Sequence, residues 1–182
     1  HIGTHIDAPK HKLKQWKGLE DFPLDQFRGK AVLADFRGSS HGQRFGPADL
    51  KSKLPKYLDK RIVLIATGWA FKREQKAAWN KGIPHLSPDG AHWLVEQGIR
   101  AVGIDHWSIG GPDEPGDSLT HTILMSDNVW IVENMQFPDP VFDLPRPFEF
   151  WCLPVNMPKL SGVLCRPVAV VKESRRKRGA SP

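Results

Sequence analysis

The chain has 182 residues, 40% of them hydrophobic and 25% charged, with a formal net charge of +6. That length suits one domain with a full core, and no apolar run approaches the ~20 residues of a membrane-spanning helix. The basic excess is local, because Lys172, Arg175, Arg176, Lys177 and Arg178 stand against only Glu173 at the end of the chain.

Residues 172–182 are therefore read as a solvated, disordered basic tail and not as a nucleic-acid interface. Two cysteines, Cys152 and Cys165, are too few for a disulfide framework. They read as free buried thiols in a reducing compartment, which points to the cytoplasm.

In chain order, Ala31 to Phe36 is a short apolar run ending in Arg37-Gly38-Ser39-Ser40, the pattern of a strand entering a turn. Pro47 to Leu58 carries a helical pattern with Leu50, Leu54, Tyr57 and Leu58 on one side, interrupted by Pro55. Arg61 to Thr67 is apolar at both parities, which predicts a strand buried on two faces. Ser87-Pro88-Asp89 opens a second helix, with Ser87 as N-cap and Gly98 as terminator. Ile99 to Asp105, Val129 to Met135, Phe148 to Val155 and Pro167 to Val171 complete the strands, and Gly110 to Thr120 reads as a polar loop. Strands alternating with helices predict a single α/β domain over residues 1–171, with a mixed β-sheet flanked by helices.

The opening run His1-Ile2-Gly3-Thr4-His5-Ile6-Asp7-Ala8-Pro9-Lys10-His11 packs three imidazoles and a carboxylate into eleven positions. Neutral imidazole and carboxylate are the ligands preferred by zinc and neighbouring divalent metals. On a helix, His1 and His5 would share a face while Asp7 and His11 pointed away. On a continuous strand, His1 and Asp7 would stand roughly 20 Å apart. If these groups meet, the backbone has to curl around the site. Gly3 permits that, Thr4 can bond locally, and Pro9 holds Ala8 extended. Downstream, Glu133 lies in an apolar strand pattern, where a carboxylate needs a positive partner. Any one of these histidines alone would be an ordinary surface or core residue. The other histidines, His41, His85, His92 and His106, read as surface or structural, while Trp69 and Trp107 are the leading pocket-lining aromatics.

The run His1-x-Gly3-Thr4-His5-x-Asp7-x-Pro9-x-His11 resembles the signature of the metal-dependent cyclase family, which includes bacterial kynurenine formamidases and isatin hydrolases. The similarity continues through Thr67-Gly68-Trp69, Leu86-Ser87-Pro88, Ala91-His92-Trp93-Leu94, Gly103-Ile104-Asp105, His121 and Ile131-Val132-Glu133-Asn134. The resemblance implies a swivelling β/β/α-like fold with His1, His5, Asp7, His121 and Glu133 as metal ligands. Asp7 would bridge two ions, and His11 would be the acid–base residue. It further implies one or two Zn²⁺ ions, with Mn²⁺ an alternative, a small-molecule substrate and a homodimer or larger homo-oligomer.

The expected activity is cleavage of an amide C–N bond in an aryl formamide like N-formylkynurenine, or in a cyclic amide. The alternatives are a lactone hydrolase and a metal-binding homologue without turnover. Two positions depart from the pattern. Ala66 stands where many members carry Arg, and Gly110 stands where an acidic residue is common. The family's N-terminal strand region, upstream of the motif, is also missing.

Overall fold

The computed structural model describes residues 2–73, 81–112 and 115–171. His1 and the basic tail therefore lie outside the described residues. One eight-stranded mixed sheet dominates, accompanied by a two-stranded sheet and, among the described residues, three α-helices. Its strands are β1 (His5–Asp7), β2 (Arg28–Asp35), β4 (Ile62–Ala66), β6 (Ala101–Ile104), β7 (Trp130–Glu133), β8 (Phe148–Trp151), β9 (Gly162–Leu164) and β10 (Val168–Val170). The small sheet pairs β3 (Arg44–Phe45) with β5 (His85–Leu86).

In the large sheet the order is β10-β8-β2-β4-β6-β7-β1-β9. Strands β2, β4, β6 and β7 run parallel, and the flanking strands pair antiparallel. The central strands are buried on both faces, as apolar residues at both parities demand. Val63 and Ile65 face one core, while Ile62, Leu64 and Ala66 face the other. The first core is roofed by α1 (Pro47–Lys53), α2 (Pro88–Glu96) and α3 (Gly116–Ser126), through Leu50, Leu94 and Leu124. The second core has no such roof among the described residues. The sheet curls over it, so that Phe150 and Cys152 near one end share a cluster with Trp130 and Val163 near the other.

Two expectations need correction. The helix at Pro47 stops at Lys53, because Leu54 precedes Pro55 and is extended at φ −107°, ψ 152°; Tyr57 is consequently exposed. Residues 116–120 are helical, not loop. Pro115 occupies the N-cap position of α3, where a missing N–H costs nothing, and Asp117 sits favourably in the first turn. The second helix forms as expected, with Ser87 Oγ accepting from the Gly90 N–H at 3.0 Å and Gly98 at φ +70° beyond its end. No helix among the described residues is long and apolar enough to cross a membrane.

Candidate metal centre

The strand at the amino terminus is only three residues long, and its register builds the site. In β1, His5 and Asp7 share a face because side chains alternate, and Ile6 points the other way into the core. Antiparallel pairing sets His5 directly opposite Glu133 on β7. One donor atom from each of His5, Asp7 and Glu133 thus lies within 4.8 Å of the others. His5 Nε2 is 3.5 Å from Glu133 Oε2 and 3.8 Å from Asp7 Oδ2.

The chain bends at both ends of β1. Pro9–His11 forms a 3-10 turn that swings His11 back, placing its Nδ1 3.7 Å from Asp7 Oδ1. Thr4, which can bond locally, uses its hydroxyl at long range instead. Its hydroxyl reaches across 130 residues to donate to the Asn134 carbonyl at 2.6 Å, tying the start of β1 to the end of β7.

His121 enters from α3 on the far side of Glu133, its Nε2 3.1 Å from Oε1. The Ile109 N–H donates to the same oxygen at 2.8 Å. Asp117, one helical turn before His121, presents Oδ1 3.0 Å from His121 Nδ1 and also accepts the Ser108 hydroxyl. The sequence reading missed Asp117. Its Asp-x-x-x-His spacing was the available signal, but that spacing has meaning only on a helix.

The imidazole tautomers follow from their partners. His5 Nδ1 lies 2.8 Å from the Gly3 carbonyl, and His121 Nδ1 faces both the Asp117 carbonyl at 2.9 Å and its carboxylate. These partners only accept, so Nδ1 carries the proton in each ring. A neutral ring then aims its Nε2 lone pair at carboxylate oxygens, which is repulsive unless something positive lies between them.

In the metal-free protein, protons take that place. Burial depresses His121, but the hydrogen bonds it donates to Asp117 and Glu133 outweigh that and lift the ring to about 10. Burial likewise lowers His5, and Glu133 and Asp7 more than offset it, leaving the ring raised. Asp7 is raised by burial and by the neighbouring Glu133 carboxylate. Burial opposes ionisation of Glu133, yet His121 and His5 hold it well below the ordinary glutamate range. Asp7 Oδ2 is buried with no hydrogen-bond partner among the described residues. An acceptor left in that state calls for a cation, so the donor set fits a divalent metal with nitrogen and oxygen ligands.

A family model described as putative cyclase matches residues 1–110. This chain belongs to the cyclase family. It is 30% identical over 168 residues to the kynurenine formamidase of Bacillus cereus, covering 92% of this chain and 75% of that one. Among solved structures, isatin hydrolase A from Ralstonia solanacearum superposes with a TM-score of 0.82 at 18% identity, covering 93% of this chain and 72% of its own. A potential metal-dependent hydrolase with cyclase activity gives 0.74 at 25% identity, over 93% of this chain and 78% of that chain. Among kynurenine formamidases, the match covers 60% of the protein from Salinibacter ruber and 76% of one from Bacillus thuringiensis.

A cleft of about 360 Å³ opens over the cluster, lined by His5, Asp7, His11, Ser161, Gly162 and neighbours on β9. Neither Trp69 nor Trp107 lines it. Trp69 is buried beneath the Lys72 ammonium, which sits 3.7 Å from its ring centre. The turn that holds Trp69 is pinned by Asp105, whose carboxylate accepts from the Thr67 N–H and hydroxyl and from the Gly68 N–H. Of the remaining histidines, His85 and His106 are buried with backbone carbonyl partners, and His41 and His92 are exposed.

Proposed function

We propose that the protein is a metal-dependent hydrolase of non-peptide amide bonds, in which His5, Asp7, Glu133 and His121 hold one or two Zn²⁺ or Mn²⁺ ions. His1 is carried as a further ligand from the resemblance alone. The observation that supports this reading most directly is the pair of Nε2 atoms, of His5 and His121, converging on two buried carboxylates. A bound ion would supply Lewis acidity and lower the pKa of a coordinated water toward neutrality.

The chain's own residues divide the remaining tasks. Asp7 and Glu133 contribute the negative charge that retains the ion, and the Ile109 N–H fixes the Glu133 carboxylate. His11 is about one-third exposed at the mouth of the cleft, its Nδ1 against Asp7 and 3.4 Å from Ser161 Oγ. That position suits it to take a proton from the attacking water and deliver it to the leaving nitrogen. The names of the relatives favour an aryl formamide of the N-formylkynurenine kind, with isatin-like cyclic amides second. The acting unit is read as a homodimer or larger homo-oligomer.

The test is metal analysis of the purified chain, followed by hydrolysis assays on aryl formamides, cyclic amides and lactones. His11→Ala should retain the metal and lose roughly 10²-fold or more in kcat. Undiminished turnover in that variant would remove His11 from the mechanism. Bound metal without turnover on any substrate would leave a binding protein in place of an enzyme.

A further inference from the structure

The order of the large sheet puts β8 near one end and β9 at the other. Yet Cys152, the residue after β8, and Cys165, the residue after β9, have their sulfurs 3.3 Å apart. The curl has brought the two ends of the sheet together. Pro154 and Cys165 form an antiparallel bridge across the join, and the Val155 N–H donates to the Leu164 carbonyl at 3.0 Å. Both thiols are free. A disulfide has an S–S bond of about 2.05 Å, so the sulfurs need to approach by little more than 1 Å. Backbone bonds already hold each partner, from the Cys152 N–H to the Phe27 carbonyl and from the Cys165 N–H to the Thr4 carbonyl.

We propose that Cys152 and Cys165 form an oxidative modification site, at which a disulfide closes the curled sheet into a covalent ring beside the candidate metal centre. The two thiols differ in access. Cys152 is fully buried, and burial raises its thiol well above the ordinary range, whereas Cys165 is half-buried. With a low-molecular-weight disulfide as oxidant, the Cys165 thiolate attacks one of its sulfurs and releases one small thiolate. Cys152, on losing its proton, then attacks Cys165 Sγ and expels the second. Two protein thiols are oxidised and one external disulfide is reduced to two thiols, so the electrons balance.

The closure bears on the site through β9, which pairs along β1 with Gly162 opposite Asp7 and Leu164 opposite His5. Joining the end of β9 to Cys152 removes the freedom of this edge strand to peel from the strand that carries two candidate ligands. The inference stands without the metal reading, since it concerns the sheet alone.

The test exposes the full chain, with and without Zn²⁺, to glutathione disulfide and glutathione at varied ratios, followed by alkylation and mass analysis. The expected result is loss of two hydrogens, a peptide linking Cys152 to Cys165, and a Tm rise of roughly 5–10 °C. Amide exchange in 162–165 should slow in the oxidised protein. Cys165→Ala, at the less buried position, should abolish the mass change, and Cys152→Ala should replace it in that variant with one glutathione adduct on Cys165. In the parent chain, glutathione adducts on Cys165 without the internal bond, or cross-linked dimers only, would overturn the proposal. So would an internal bond that lowers Tm.

Discussion

Asp117 and His121 lie one turn apart on α3, with the carboxylate Oδ1 3.0 Å from the ring Nδ1. The Ser108 hydroxyl donates to the same carboxylate oxygen, and the Lys12 ammonium lies 3.9 Å from the other. Partners on both oxygens leave the carboxylate little freedom, so it fixes both the tautomer and the plane of His121. Outer partners of this kind commonly control metal affinity by 10- to 100-fold. Asp117→Asn should therefore weaken Zn²⁺ binding by roughly that factor in competition with a chromophoric chelator. Affinity equal to that of the parent would show that His121 needs no such support, or holds no metal.

Metal binding should release protons. His121 in the metal-free protein titrates at about 10, so at pH 7 its Nε2 proton must leave before the nitrogen can ligate. Calorimetric titration with Zn²⁺ at pH 7, in buffers of different ionisation heat, should report about one proton or more released per ion. A binding heat independent of buffer would contradict His121 as a ligand.

Gly162 lies opposite Asp7 in the β1–β9 register. A methyl group there would collide with Asp7 Oδ1 and press on the Ile6 carbonyl at 3.3 Å. Gly162→Ala should displace the carboxylate or the edge strand, at a cost of about 1–3 kcal/mol by urea unfolding. Metal affinity should fall with it. Retention of both properties would mean that β9 yields without disturbing Asp7.

His106 makes the domain acid-sensitive. Full burial drives its ring down to about 4, although the Pro84 carbonyl at 2.6 Å works against that. The folded state therefore holds the neutral ring, while the unfolded chain takes up a proton near 6.5. With its folded pKa depressed, this histidine's contribution is complete above about 6.5 and is lost as pH falls toward 4. The full loss is about 3 kcal/mol. Denaturant midpoints from pH 7.5 to 4 should show this slope, reduced in His106→Gln. An unchanged slope in that variant would assign the sensitivity to other groups.

The strongly patterned parts of the fold were legible because each was decided locally. Arg61 to Thr67 is apolar at both parities and becomes a central strand, and Ser87-Pro88 caps the second helix. The opening motif was legible for its need to curl, which the turn at Pro9–His11 fulfils. What could not be read was the partner of each short segment. Strand β9 has three residues, of which Val163 alone is buried; a pattern that short carries no period. Helix α3 hid behind Gly110, Gly111, Pro112, Pro115 and Gly116, all of which signal a loop. Asp117 was lost with that helix. Thr4 has a hydroxyl equally able to bond nearby, and only the β1–β7 pairing presents it to Asn134.

The placement of β1 between β7 and β9 governs the order in which the molecule can be completed. Of the three residues that converge most closely, two are made almost together and the third more than a hundred positions later. A nascent chain that has not yet reached Glu133 lacks one of the three. Its His5-Asp7 segment gains its β7 partner only once Glu133 is made, and its β9 partner only once Leu164 is. During that interval a free divalent cation would meet only a loose His-rich peptide. Tight capture of an ion at this cluster would therefore be a late event, coupled to the final insertion of β1 into the sheet.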